Sequence, residues 1–88
     1  HSHPAVVKAV QEQAAEYMHL IVYGEFVESP QVQYAKLLTD HLPASLNCVY
    51  FTNSGAEATE GAMKLAKRIT GRSKMIAFNN AYHGSTQG

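Results

Sequence analysis

Apolar residues follow two different periods along this chain. Val6, Val7, Val10, Ala14, Tyr17, Met18 and Ile21 recur three and four residues apart, which gathers their side chains on one face of an α-helix. Ser2 or His3 stands in capping position ahead of Pro4, and proline suits a first helical turn because its missing N–H has no partner there anyway. The pattern predicts a helix running to about Leu20, with Gly24 breaking it. Residues 21–28 read as an apolar, aromatic connector carrying Tyr23 and Phe26. Ser29-Pro30 opens a second helix with Val32, Ala35, Leu38 and Leu42 on one face and Pro43 as its stop. Two helices in succession leave apolar faces that need a partner surface.

The second half reads differently. Residues 48–52 and 75–78 are short apolar runs, each the length of a buried strand. Between them a helix is predicted from about Ala56 to Thr70, with Ala58, Ala62, Leu65, Ala66 and Ile69 facing inward and Gly71 ending it. Ser54 and Glu57 have the spacing of a capping box, in which the glutamate folds back to the N–H of the capping residue. Glu57 and Glu60 near the start, and Lys64, Lys67 and Arg68 near the end, complement the helix dipole. Glu60 and Lys64 are also neighbours one turn apart. Gly61 costs the helix about 1 kcal/mol relative to alanine. Beside Ala58 and Ala62 it makes a small-residue face suited to close approach to a sheet.

Strand, helix, strand in that order implies parallel strands. The turn at Ser54, Gly55 and Ala56 and the turn from Asn79 to Gly84 then lie at carboxyl ends of strands, where open α/β sheets bind ligands. One turn offers a hydroxyl and the unpaired N–H groups of a helix start, which suit a phosphate. The other offers the flat ring of Tyr82 beside His83. Together they describe a site for a phosphorylated aromatic cofactor. Taken singly, each has a plainer reading: a capped helix, a packing tyrosine, a hydrogen-bonding surface histidine.

Composition narrows the classes. An 88-residue chain hides only about 60–65% of its unfolded surface, so its core is modest. Seven basic residues balance seven acidic ones, which gives neither a nucleic-acid footprint nor an electrostatic membrane anchor. No apolar run has the length of a membrane span. Cys48 is the single cysteine; its apolar setting predicts a buried, inert thiol, and the usage fits a reducing, cytoplasmic compartment. His1, His3, His19, His41 and His83 lack the compact spacing of metal ligands. The hydrolase elbow, the Walker loop and the dinucleotide glycine fingerprint are not found. Neither chain end reads as a natural boundary, and a segment of a larger protein is expected.

Four stretches in register carry a family resemblance. His1-Ser2-His3-Pro4 with Ala9-Val10 and Gln13 resembles a Gly-His-x-His-Pro segment without its leading glycine. Asn53-Ser54-Gly55-Ala56-Glu57-Ala58, within residues 51–64, is similar to a cofactor-phosphate turn. Thr70-Gly71-Arg72 resembles a helix end, and Tyr82-His83-Gly84-Ser85-Thr86 an aromatic-His-Gly turn. The family is the class-III pyridoxal-phosphate-dependent aminotransferases of the ornithine, acetylornithine and 4-aminobutyrate type.

The resemblance implies an α/β fold, a fragment of the fold-type-I transferases. Residues 1–45 would form an N-terminal helical segment on the small-domain and dimer-interface side. Residues 46–88 would begin the large, pyridoxal-phosphate-binding domain, whose first two sequential strands are not sheet neighbours. The implied cofactor is pyridoxal 5'-phosphate. Ser54 and the N–H groups of Gly55 and Ala56 would meet its phosphate, Tyr82 would stack on its ring, and His83 and Gly84 would shape the turn beneath. The implied partners are an amino-acid or amine donor, a 2-oxo acid acceptor and a second subunit in a homodimer, with no nucleic acid and no membrane. No catalytic residue is assigned here: the Schiff-base lysine and the acid facing the pyridine nitrogen belong downstream in the family, and Lys8, Lys36, Lys64, Lys67 and Lys74 sit on helix surfaces or in a turn. Two alternatives stay open: an aminomutase, decarboxylase or racemase of the same fold, although Glu60-Gly61 after Thr59 looks closer to the ornithine-type aminotransferases, and a stand-alone helical module that binds a protein partner.

Overall fold

Local signals set the three helices found among the described residues: α1 (Pro4–Glu16), α2 (Ser29–Asp40) and α3 (Gly55–Thr70). The computed structural model describes residues 1–21 and 23–88, so Val22 of the connector lies outside the described residues. The chain divides into two units, His1–Cys48 and Val49–Gly88.

In the first unit His3 is the cap of α1, its Nδ1 accepting from the Ala5 N–H at 3.3 Å. The helix ends at Glu16, four residues before the expected Leu20. Competing partners explain the early stop. Tyr17 turns extended at φ −167° and ψ 150°, and its carbonyl accepts from the Gln13 side-chain amide at 3.0 Å. The Leu20 N–H donates to the Glu28 carboxylate at 3.2 Å rather than to a helical carbonyl. Helix α2 begins at Ser29 without a side-chain cap and ends at Asp40, short of Leu42 and Pro43. Its last turn is closed by the Thr39 hydroxyl donating to Ala35 O at 3.0 Å and by Lys36 pairing with Asp40 at 2.7 Å.

In the second unit α3 follows its predicted bounds closely. Gly71 caps it in the left-handed region at φ 68°, its N–H donating to Lys67 O at 2.9 Å. The two expected strands are a different matter. Neither residues 48–52 nor 75–78 form a ladder, and no strand occurs among the described residues. A strand exists only through hydrogen bonds to a neighbour, and these two runs do not pair with each other. The same lack of cover corrects Cys48, expected buried and found exposed.

None of the described residues is buried. Ile76 at 99% and Phe78 at 89% exposure are apolar side chains of strand type with nothing laid against them. The inward face expected for α3 is likewise mostly open, with Leu65 58% and Ile69 74% exposed. The side of α3 that its own chain partly covers is another one, marked by Ala56, Thr59, Glu60, Met63 and Ala66. Helix α3 therefore has two working faces. Residues after Met75 lie along one, and the small-residue face of Ala58, Gly61 and Ala62 stays open beside Tyr50 and Thr52.

Candidate cofactor site

The first turn of α3 distributes its donors in a specific way. The Ser54 hydroxyl oxygen accepts from the Glu57 N–H at 3.2 Å, as a capping serine should. The Glu57 carboxylate folds back as expected but reaches one residue further, accepting from the Asn53 N–H at 2.7 Å instead of the Ser54 N–H. The Thr52 hydroxyl donates to Ser54 O at 3.1 Å, and that carbonyl also takes the first helical bond, from Ala58 N at 3.0 Å. Among the described residues no acceptor meets the N–H groups of Gly55 and Ala56. They point out of the positive end of the helix dipole. The Ser54 hydroxyl keeps its hydrogen to donate while its oxygen accepts.

The Tyr82 turn comes to this helix end. Asn80, at φ 62°, takes the left-handed conformation that asparagine tolerates, and the Ala81 N–H closes the turn onto Phe78 O at 3.3 Å. Gly84, at φ 110°, then presses on the helix: a Cβ there would stand 2.7 Å from Ala56 Cβ and 2.9 Å from Ala56 Cα. Only glycine permits both that dihedral and that approach. The result is a cleft of about 430 Å³ bordered by Ser54, Gly55, Ala56, Thr59, Tyr82 and His83. Tyr82 is 79% exposed, and its hydroxyl is held by Ser85 Oγ at 2.9 Å. The structure thus brings together every residue singled out for the site: Ser54, Gly55, Ala56, Tyr82 and His83.

Two neighbours were not assigned to the site from the sequence. Thr59 borders the cleft; the signal was its spacing of three from Ala56 and four from Met63, a second helical stripe beside the apolar one. Glu60 read as an ordinary surface pair with Lys64. That pair forms, at 3.1 Å, but the other carboxylate oxygen accepts from the Gln87 N–H at 3.4 Å. A hydrogen bond from the Thr86 hydroxyl, then those from Lys64 and Gln87, hold the Glu60 carboxyl below the usual glutamate value. A lowered folded-state pKa means that this clasp is at full strength above the ordinary glutamate range and is lost as pH falls through the lowered value. We expect an NMR titration of the Glu60 carboxyl to show a midpoint below that of a free glutamate; one at or above it contradicts the clasp.

The turn thus gathers a helix start with free donors, an adjacent hydroxyl and an exposed ring on a facing turn. Comparison with known proteins assigns the chain to a family. The model of the aminotransferase class-III family matches residues 1–88. The acetylornithine aminotransferase of Methanopyrus kandleri is 47% identical over 90 residues, covering 100% of this chain and 22% of the relative. Those of Bacillus anthracis and Streptomyces coelicolor are 44% and 47% identical over 88 residues, covering all of this chain and 22% and 21% of their own lengths. No solved structure matches the chain. The chain belongs to the class-III aminotransferases, and it spans about a fifth of the length of these curated relatives. Among the described residues no helix is long and apolar enough to cross a membrane.

Proposed function

We propose that the chain supplies the cofactor phosphate and ring contacts of a pyridoxal-phosphate-dependent aminotransferase. That enzyme moves an amino group between an amino acid or amine and a 2-oxo acid. The observation that carries this reading is the meeting of the α3 start with the Tyr82 turn, locked by Gly84 on Ala56. The donor set fits the cofactor. Gly55 and Ala56 N–H with the Ser54 hydroxyl suit a phosphate dianion, and the Tyr82 ring suits a pyridine face. His83, beside them, shapes the floor of the turn. When bound, the cofactor supplies the aldehyde and electron-withdrawing ring on which amino transfer runs. This segment binds and orients it, and the reactive lysine and the acid at the ring nitrogen come from elsewhere in the fold.

In this reading residues 46–88 open the large domain of a fold-type-I transferase, and residues 48–52 and 75–78 are strands of its parallel sheet. Residues 1–45 lie on the small-domain side, at the interface of a homodimer in the cytoplasm. The open faces of all three helices are what such neighbours would cover. The names of the relatives make acetylornithine the amine donor to try first.

The test is spectroscopic and kinetic. The holoenzyme containing these residues should show a pyridoxal phosphate absorption band, lose it to competing inorganic phosphate, and transfer an amino group from acetylornithine to a 2-oxo acid. A protein with no band lacks the cofactor site; a protein with the band that never needs a 2-oxo acceptor is a different pyridoxal phosphate enzyme. The 88 residues alone, treated with pyridoxal phosphate and borohydride, should trap no single stoichiometric lysine adduct. The side chains of Lys8, Lys36 and Lys64 are 75%, 74% and 70% exposed, and none is a desolvated, activated amine.

A further inference from the structure

The turn that carries Tyr82 has two footholds on α3. One is Gly84 on Ala56. The other is Glu60, four residues further along the same helix face, which receives the Gln87 N–H at 3.4 Å. The chain between the footholds is tightly folded. A Cβ on Gly88 would stand 2.8 Å from His83 O, so the segment after Gln87 closes back on the histidine. Ser85, which holds the Tyr82 hydroxyl at 2.9 Å, lies inside the tethered stretch. The Glu60 side chain is only 26% exposed, against 53% to 75% for every other partner in the ion pairs. Lys64 pairs with the carboxylate oxygen that Gln87 does not use, which fixes the carboxylate orientation.

We propose that Glu60 is a positioning residue for the cofactor ring: by tethering Gln87 to α3 it holds the Tyr82 turn in register with the helix start. It touches no cofactor atom itself, and the phosphate donors on the first turn of α3 do not depend on it. The proposal rests on the reading of the cleft as a pyridoxal phosphate site. It separates two quantities that a simple folding role would move together, namely affinity for the whole cofactor and affinity for its phosphate alone.

The experiment uses the holoenzyme containing these residues, with pyridoxal phosphate and inorganic phosphate as the probes. Glu60→Ala should weaken pyridoxal phosphate about tenfold and reduce the circular dichroism induced in its absorption band. Inorganic phosphate should bind within about twofold of wild type, because the α3 start is intact. Glu60→Gln, whose amide oxygen still accepts from the Gln87 N–H, should recover most of the loss. Gln87→Pro removes that N–H, leaves the helix untouched and should weaken the cofactor about threefold, so the proposal is tested even where Glu60→Ala does not fold. Unchanged cofactor affinity in Glu60→Ala, a parallel loss of phosphate affinity, or a silent Gln87→Pro in a protein whose Glu60→Ala fails to fold overturns it. A wild-type holoenzyme without the pyridoxal phosphate band instead removes the site reading on which the proposal stands.

Discussion

Replacing Gly84 by alanine should cost the holoenzyme at least about a hundredfold in pyridoxal phosphate affinity. Two independent penalties act at this position. The backbone sits at φ 110°, outside the regions an L-residue adopts comfortably. The added Cβ would also meet Ala56 Cβ at 2.7 Å and Cα at 2.9 Å, and the Cα belongs to a helix backbone that cannot swing aside as a flexible side chain can. Relief of the overlap requires the Tyr82 turn to lift from the α3 start, which opens the cleft between ring and phosphate donors. Gly61→Ala is the internal contrast in the 88-residue chain. A Cβ there meets nothing within 4 Å, so the substitution should leave the turn in place. Titration of the wild-type and Gly84→Ala apoenzymes with pyridoxal phosphate reads the effect directly, and an affinity within about threefold of wild type would show that the two turns do not cooperate.

What was legible in the sequence was local. Ser54, Glu57 and Gly71 mark the ends of α3 through bonds made within a few residues, so spacing alone locates that helix. The polar turn at 79–84 was equally visible, because Asn80 and Gly84 are residues that accept positive φ. The end of α1 was not, because it depends on side-chain choices: Gln13 and Glu28 take the backbone groups that another turn of helix would have used. The strands at 48–52 and 75–78 were read from apolar content, but a ladder needs a neighbour, and neither run is the other's neighbour in this chain. Sequence also named the open face of α3 as its inward one. The covered stripe through Ala56, Thr59 and Met63 became visible only when the segment after Met75 was seen to lie along it. For the site, residue types sufficed to nominate Ser54, Gly55, Ala56, Tyr82 and His83. Their convergence depends on one tertiary approach, Gly84 on Ala56, which no spacing encodes. Family membership leaves the stand-alone helical module without support, since the whole chain matches the class-III aminotransferases.

The charge of the α3 start offers the sharpest test of what that helix end is for, because one substitution should move stability and affinity in opposite directions. Gly55 is exposed at the first position of α3, and a Cβ there meets nothing within 4 Å. Gly55→Asp therefore introduces no overlap. Its carboxylate should stabilise the helix by about 0.3–1 kcal/mol through the dipole, and replacing a helical glycine adds to that. The same carboxylate would stand beside a phosphate held by the Gly55 and Ala56 N–H groups. Two like unit charges about 4 Å apart repel by about 1 kcal/mol in water and about 4 kcal/mol at the dielectric of a protein surface. The cofactor phosphate carries close to two charges, so the repulsion outweighs the dipole gain several-fold. We expect Gly55→Asp to raise the melting temperature of the apoenzyme slightly while weakening pyridoxal phosphate by about a hundredfold or more. Added salt should recover only part of the loss, since a charge pair inside a cleft is poorly screened. If the α3 start were no more than a well-capped helix end, the stabilisation would appear and the cofactor affinity would not change.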